Sequence, residues 1–438
     1  MSASQDAGAT NAPSFSPAAP STVAPDAQAE VRADTQAGAA AAPADAAASG
    51  RHLRILFTGS GSEYFRIWIV NLLLSIVTLS LYLPFAKARR LAYFHGNTQI
   101  DGHALGFHGN PWKMLRGYLL MLGLGGTYTL ATRFSPIAAL AAVTVMSLAW
   151  PALWRASLQF RLANTSWRGL RFGFEGDLRG AYLALLPAFV PAVAMVAALA
   201  AAGPEAREPG EPAGAAGDPV LGLILGGAML AALLLWPLAI ASIKRYQHGH
   251  YRYSTQHSVL RAGTGAFYKL GAKAGGVGLL IALASTVLGV AVGFAMAKWG
   301  AGAASDESEG AGKLPMMIGM VVGIAVFYGA LLLVLLPYWT SRLQNLVWGA
   351  TASAQLRFCS RLRLRPLIGL HLKNALLTAV TLGLYWPFAA VATARMRLHA
   401  ISMELDGDVD QWVADGNRRF DDASGDAAGD FFGIDLGL

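Results

Sequence analysis

The chain has 438 residues, 54% of them hydrophobic and 14% charged, with 49 glycines and a mean hydropathy of +0.43. That profile excludes an ordinary soluble globular domain, and the lone Cys359 excludes an intramolecular disulfide and a paired-thiol metal site. The net charge of +8 conceals a division: residues 51–401 hold 31 bases and 11 acids, whereas both ends of the chain are acidic.

Residues 1–50 carry one base, Arg32, and no apolar core, which predicts a disordered Ala/Pro-rich tail and no secretory signal peptide. "RILFTGSG" (54–61) alternates as a strand does, and an apolar run follows at 65–85. A basic segment with Lys87, Arg89 and Arg90 leads to Asn97-Thr98. Apolar runs near 117–132 and 135–153 are joined by "RFSP", and "RGLRFGFEG" (168–176) reads as a strand. Further runs lie near 181–202, 219–243, 274–297 and 315–340, each about the ~20 residues that a helix needs to cross a bilayer. "AQLRFCSRLRLR" (354–365) alternates again, and a last apolar run covers 367–390. From Ser402 the chain is acidic, and residues 402–438 are expected to be a mobile tail.

Seven of the eleven central acids fall in two connecting segments, 203–219 and 300–313. The other connections are rich in Lys and Arg, so the positive-inside rule places them in the cytoplasm and the acidic segments on the opposite side. The segments assigned to the cytoplasm hold 27 bases against Glu63, Asp101, Glu175 and Asp177. Interleaved Tyr and Trp suit the headgroup boundary.

An internal repeat organises the whole membrane region, 51–401. Pro84, Pro151, Pro237, Pro337 and Pro387 each end an apolar run, and thirteen and fourteen residues later stand Asn97-Thr98, Asn164-Thr165, His250-Tyr251, Ala350-Thr351 and Ala400-Ile401. Each unit reads as an apolar helix, a proline exit, a basic interfacial helix and a short strand. The predicted fold is an all-α polytopic membrane protein, with six to eight transmembrane segments in five degenerate repeats and strands that could form a small cytoplasmic sheet. Six runs are expected to span fully. The runs 65–85 and 367–390 are single, so they either cross, leaving both chain ends outside, or dip and return, leaving both inside. The bases around them favour the dip, with breaks near Leu79-Ser80 and Leu382-Gly383.

Residues 64–120 resemble the YjgN-like family of bacterial inner-membrane proteins, whose function is unknown. The resemblance rests on Asn71, Thr78, Leu79, Tyr82, Pro84, Arg89, Asn97 and Thr98, with Ser80 where the family usually has glycine and Phe85 where it usually has tryptophan. It implies a bacterial inner-membrane location, supplies no activity, and covers roughly 51–401.

The apolar runs contain no Asp or Glu, so no carboxylate proton relay is expected. Asn71 with Thr78, and Asn374 with Thr381, lie seven residues apart, on one helix face, and form the candidate central polar site. The competing reading has them hydrogen-bond between helices or cap a broken one. Glycine pairs at 222/226, 289/293 and 319/323 permit close helix packing within the chain. His248, His250 and His257, like His95, His103 and His108, lack acidic or thiol companions, and Asp406-Gly-Asp408-Val-Asp410 lacks the remainder of a calcium loop, so neither metal nor cofactor is expected. Lys87, Arg89, Arg90, Lys244 and Arg245 are the expected contacts to anionic membrane lipid. No nucleic-acid partner and no catalytic constellation is read. The leading expectation is transport or permeation of a small solute, or lipid handling, around a centre lined by the two broken segments; the alternative is a non-transporting scaffold whose basic face binds anionic lipid or an acidic partner.

Overall fold

A computed structural model describes residues 51–201, 219–301 and 313–423. The expectation of disorder for residues 1–50 lies outside the described residues.

Eleven short strands form one antiparallel sheet in the order β7-β6-β5-β4-β3-β2-β1-β11-β10-β9-β8. They are β1 (Arg51–Phe57), β2 (Thr98–Ile100), β3 (His103–Phe107), β4 (Thr165–Trp167), β5 (Leu170–Phe174), β6 (Tyr251–Tyr253), β7 (Gln256–His257), β8 (Val259–Leu260), β9 (Thr351–Ala352), β10 (Leu356–Ser360) and β11 (Ile401–Leu405). Strands β7 and β8 stand at opposite ends of that order, yet only Ser258 separates them. The sheet therefore closes on itself, with residues 256–260 pairing with β6 on one side and β9 on the other. Closure leaves no open edge in a structure whose strands are too short to stand alone.

Tight turns at Asp101-Gly102, Arg168-Gly169 and Ser254-Thr255 join three hairpins, with φ of 52°, 50° and 52° at the first residue of each. Positive φ at these positions matches the right-handed twist of the flanking strands. A fourth hairpin is β9/β10, and the fifth pair is β1 with β11, Arg51 opposite Leu405, from distant parts of the chain.

Because neighbouring strands are antiparallel, the turns lie on one rim and every helical excursion leaves from and returns to the other. The excursions are α1 (Gly61–Val77) with α2 (Leu83–Gly96), α3 (Pro111–Phe134) with α4 (Pro136–Ala163), and α5 (Leu178–Ala201) with α6 (Pro219–His248). There follow α7 (Thr264–Ala301) with α8 (Lys313–Ala330) and α9 (Leu336–Ala350), then α10 (Leu364–Val380) with α11 (Trp386–His399). Among the described residues five helices are long and apolar enough to cross a membrane, over Ile137–Ala163, Leu178–Val196, Val220–His248, Thr264–Trp299 and Lys313–Ala350. Only 6–22% of each apolar window is buried against protein, as for helices solvated by lipid on most sides. This is the make-up of a polytopic membrane protein.

The expected sixth span, 117–132, lies in α3, which has the length but not the apolar average. Lys113, Arg116 and Arg133 sit near its ends, and Gly123, Gly125, Gly126 and three threonines dilute the middle. The segments that contain the runs 65–85 and 367–390 leave one rim of the sheet and come back to it. β1 and β2 pair with each other, as do β10 and β11, so each intervening segment starts and ends at the same rim. The breaks fall at Leu79 (φ 49°) and Ser80 (φ 72°), and at Leu382 (φ 50°) and Gly383 (φ 92°). Ser80 N donates to Ser75 O at 2.7 Å and Gly383 N to Thr378 O at 2.7 Å, so the serine copy makes the glycine copy's turn. The limb before the first break is long, for α1 alone has 17 residues, about 26 Å of helix.

All five anchor prolines are buried. Pro151 and Pro237 sit inside continuous helices, Pro84 and Pro387 in the first turn of α2 and α11. Before Pro337 the helix widens into a π-turn, Leu331–Leu335, which absorbs the clash that a mid-helix proline creates.

The ring is filled. Leu53, Ile55, Ile100, Trp167, Ile401 and Met403 meet in one cluster inside it. Val409 and Trp412 of α12 (Val409–Ala423) join that cluster. Since β11 runs away from the helices, α12 closes the turn rim. Trp412 Nε1 donates to Gln355 Oε1 at 2.7 Å, Ser254 Oγ donates to Trp412 O at 2.7 Å, and Arg168 pairs with Asp410. The mobile tail expected at 402–438 is corrected over 402–423, which forms β11 and α12, with Met403, Leu405, Val409 and Trp412 in the barrel core. Asp408 Oδ1 accepts from Asp410 N at 2.9 Å, so the run that began like a calcium loop starts a helix.

Candidate functional site

The repeated polar residues take three separate roles. At the two proline-plus-thirteen positions that carry Asn, its side chain caps its own helix: Asn97 Nδ2 donates to Tyr93 O at 2.9 Å and Asn164 Nδ2 to Phe160 O at 2.8 Å. The next residue does the same with a hydroxyl, Thr98 to Phe94 O, Thr165 to Arg161 O and Thr351 to Val347 O, each at 2.7 Å. Carbonyls that a helix end leaves orphaned are satisfied before the chain enters the sheet.

Thr78 and Thr381 hold the breaks. Thr78 Oγ1 donates to Leu74 O at 2.7 Å and accepts from Tyr82 N at 3.0 Å; Thr381 does likewise with Leu377 O at 2.7 Å and Tyr385 N at 2.9 Å. Their side chains are committed to the turns.

Asn71 and Asn374 are buried two turns before those tips, each with a carbonyl oxygen that has no partner. Asn374 Nδ2 lies 3.4 Å from both Ala389 O and Thr393 Oγ1 of α11, within its own helical hairpin. The hairpins are neighbours, α1 packing on α11 through Trp68–Trp386 and Phe65–Phe388 with ring centroids 6.2 and 5.7 Å apart. The four residues do not converge: the asparagines are buried within the packing and the threonines stand at the tips.

A cavity of about 200 Å³ lies elsewhere, on the helix side of the barrel core. Lys244 and His248 of α6, Thr340, Gln344 and Trp348 of α9, and Arg397 of α11 line it. Its floor is the barrel itself, for Trp348 packs against the barrel cluster. Arg397 Nε donates to Gln344 Oε1 and Gln344 Nε2 to Arg397 O, both at 2.9 Å, which fixes the guanidinium against the cavity wall. Lys244 Nζ donates to Gln247 Oε1 at 2.9 Å. Neither cation pairs with a described carboxylate. The protein packed around Arg397 holds its pKa below the ordinary arginine value, although its side chain keeps accessible surface by facing the cavity.

The other expected lipid contacts differ among themselves. Lys87 is exposed, with a pKa drawn down by partial burial and then by Arg161. Arg89 stacks over Tyr82, Arg90 lies over Phe94 and Trp386, and Arg245 donates to Thr264 Oγ1 at 3.1 Å. The histidines are taken up locally: His250 Nδ1 lies 2.9 Å from Tyr246 O, His108 Nε2 2.8 Å from Ser166 Oγ, His103 Nδ1 2.9 Å from Asp101 O, and His257 pairs with Glu175 at 2.9 Å. His95 and His248 stand at proline-plus-eleven in their units and reach the thirteenth-plus-one threonine of the next, His95 Nε2 at 3.4 Å from Thr165 Oγ1 and His248 Nδ1 at 3.3 Å from Thr351 Oγ1. Gly289, Gly293, Gly319 and Gly323 bring α7 and α8 together: a Cβ on Gly289 would lie 2.8 Å from Gly319 O. Gly222 and Gly226, expected to pack as well, face open space.

Arg397, Gln344 and His248 were not singled out from sequence as one site. The signal was present in the proline register, with Lys244 at plus seven, Gln344 at plus seven and Arg397 at plus ten.

Residues 52–431 match a family described as bacterial protein of unknown function, DUF898. The chain belongs to this family. The match runs through α12, further than the sequence resemblance, so the closing helix is inside the family's range. Among curated relatives, the inner membrane protein YjgN of Escherichia coli O157:H7 is 27% identical over 129 residues, 29% of this chain and 32% of that protein. YjgN of Salmonella typhimurium is 26% identical over 136 residues, 30% of this chain and 34% of that protein. YjgN of Escherichia coli K12 is 38% identical over 52 residues, 12% of this chain and 13% of that protein. The aligned stretch thus spans at most about a third of these relatives. No solved structure matches.

Proposed function

We propose that the protein is a multi-pass inner-membrane protein that binds anionic lipid through a basic cytoplasmic face, built from five copies of one helix-and-hairpin unit, rather than a solute channel. The supporting observation is the filled and closed ring. Side chains from strands all around it meet in one apolar core, and α12 covers the rim away from the helices. A permeation path along the ring axis would have to displace that core.

The repeat is supported by like roles at like positions: a buried proline and a strand pair in each unit, with β1 and β11 making the fifth pair, and side-chain helix caps at Asn97-Thr98, Asn164-Thr165 and Thr351. Location follows the relatives' names and the apolar helices. Orientation follows charge, for the helix–strand junctions carry most of the 27 bases and the membrane's cytoplasmic leaflet is anionic. Lys87, Arg89, Arg90, Lys244 and Arg245 stand on the helices that return to the rim, where each base beside an anionic leaflet contributes ~1 kcal/mol.

Nanodisc native mass spectrometry of the full-length protein tests the reading. Retention of phosphatidylglycerol over phosphatidylcholine, lost in Lys87→Gln/Arg89→Gln/Arg90→Gln, is expected; equal retention of both lipids would defeat it. One observation favours permeation instead: the unpartnered Oδ1 atoms of Asn71 and Asn374. Buried amide oxygens normally find a donor. A co-purifying solute that disappears in Asn71→Ala and Asn374→Ala would support that second reading.

A further inference from the structure

We propose that the cavity between α6, α9 and α11 is a binding site for a phosphate group, with Lys244 and Arg397 as its two charged ligands. The inference rests on the anionic-lipid reading for its physiological source, but its chemistry is that of the cavity alone.

Two cations from different helices face one concave space of about 200 Å³ with no described carboxylate to neutralise them. Holding like charges together in a partly desolvated site is unfavourable unless an anion completes it.

The geometry also selects the anion. Gln344 engages Arg397 through Nε at 2.9 Å and so leaves the two terminal guanidinium nitrogens for a ligand, the fork that matches two oxygens of a phosphate. Lys244 adds a point charge from a second helix, and Thr340 adds a hydroxyl. Trp339 and Trp348 supply apolar wall area, which suits a phosphate ester with a carbon-bearing substituent better than a small bare anion. The site lies at the level where the spans meet the barrel, since Lys244 follows the buried Pro237 by seven residues and precedes β6 by seven. A phospholipid headgroup and a free phosphate ester both carry the required chemistry.

The test uses the full-length protein with two probes. Calorimetry with glycerol 3-phosphate in neutral detergent reads the soluble arm; native mass spectrometry in phosphatidylglycerol nanodiscs reads the lipid arm. Lys244→Gln/Arg397→Gln should weaken whichever probe binds by about tenfold or more, as two charge-assisted contacts are removed. Lys244→Arg keeps that charge and leaves the Arg397 fork in place, so it should bind within a few-fold of wild type, which separates loss of the charged ligands from loss of the fold. Arg171→Gln/Arg357→Gln removes two charges from the outer side of the barrel and should change nothing in the soluble arm. Loss in the soluble arm alone assigns the site to a soluble ester, and it stands even if the protein shows no lipid preference. Loss in the lipid arm assigns it to a headgroup. Wild-type-like binding of both probes by the double Gln variant overturns the proposal, as does failure of the wild type to bind either. If lipid retention survives in that variant and falls only in the Lys87/Arg89/Arg90 variant, the basic face binds lipid and the cavity does not.

Discussion

The barrel and the helices that rise from it are held together by different means. In the barrel, residues such as Leu53, Trp167 and Leu405 are almost wholly buried, and each strand of two to seven residues survives only through its neighbours. In the spans as little as 6% of an apolar window is buried, and helices meet mainly as hairpin partners. The membrane segments can therefore tolerate change on most faces, whereas the barrel fixes where each of them begins. What is constant along this chain is the junction between the two regions: proline, basic helix, cap, strand.

That contrast can be broken from the barrel side with the largest effect. Trp412 fills the rim and donates to Gln355, so Trp412→Ala should cost about 3–5 kcal/mol, read as a lower midpoint of denaturant unfolding. An unchanged midpoint would mean that α12 merely rests on the barrel. On the membrane side the sharpest contrast lies between glycines. Gly289→Leu must push α7 from α8 and should destabilise by about 1–3 kcal/mol, while Gly222→Leu faces open space and should be near neutral. Equal thermal shifts for the two would remove the distinction. Smaller still is Ser80→Gly, which relieves a left-handed serine and should stabilise by about 1 kcal/mol, bringing the first dip to the backbone of the second.

The smallest effect is with pH. Burial holds the His95 pKa below its ordinary value of 6.5. A depressed histidine disfavours the proton in the folded state, so its contribution is intact above pH 6.5 and lost as pH falls below it. His95→Gln should flatten the thermal stability of the protein between pH 7.5 and 5; an unaltered slope would assign the dependence to another group.

Much of the helical part was legible because spacing carries it. The break at Leu79-Ser80 could be placed because a run too short to cross and return had to fold near its middle, and the local turn chemistry of Thr78 is written in adjacent residues. The closed ring was not legible. Its decisive pairing joins Arg51 to Leu405, and strands of two or three residues such as β7, β8 and β9 are too short to show alternation. Helix α12 was hidden differently: the acidic residues of the tail suggested mobility, although Val409, Trp412, Val413 and Gly416 already follow the spacing of one helical face. The cavity escaped because its cations come from α6 and α11, more than 150 residues apart, and become one site only when the ring closes.

The account stands most directly on the claim that both dips return, so that the two ends of the described chain share one side of the membrane. Fusing a reporter that fluoresces only in the cytoplasm, and separately one active only outside, at residue 50 and after residue 423 measures this. Cytoplasmic signal from both positions is the predicted result. External activity at either position, or opposite signals from the two, would contradict it.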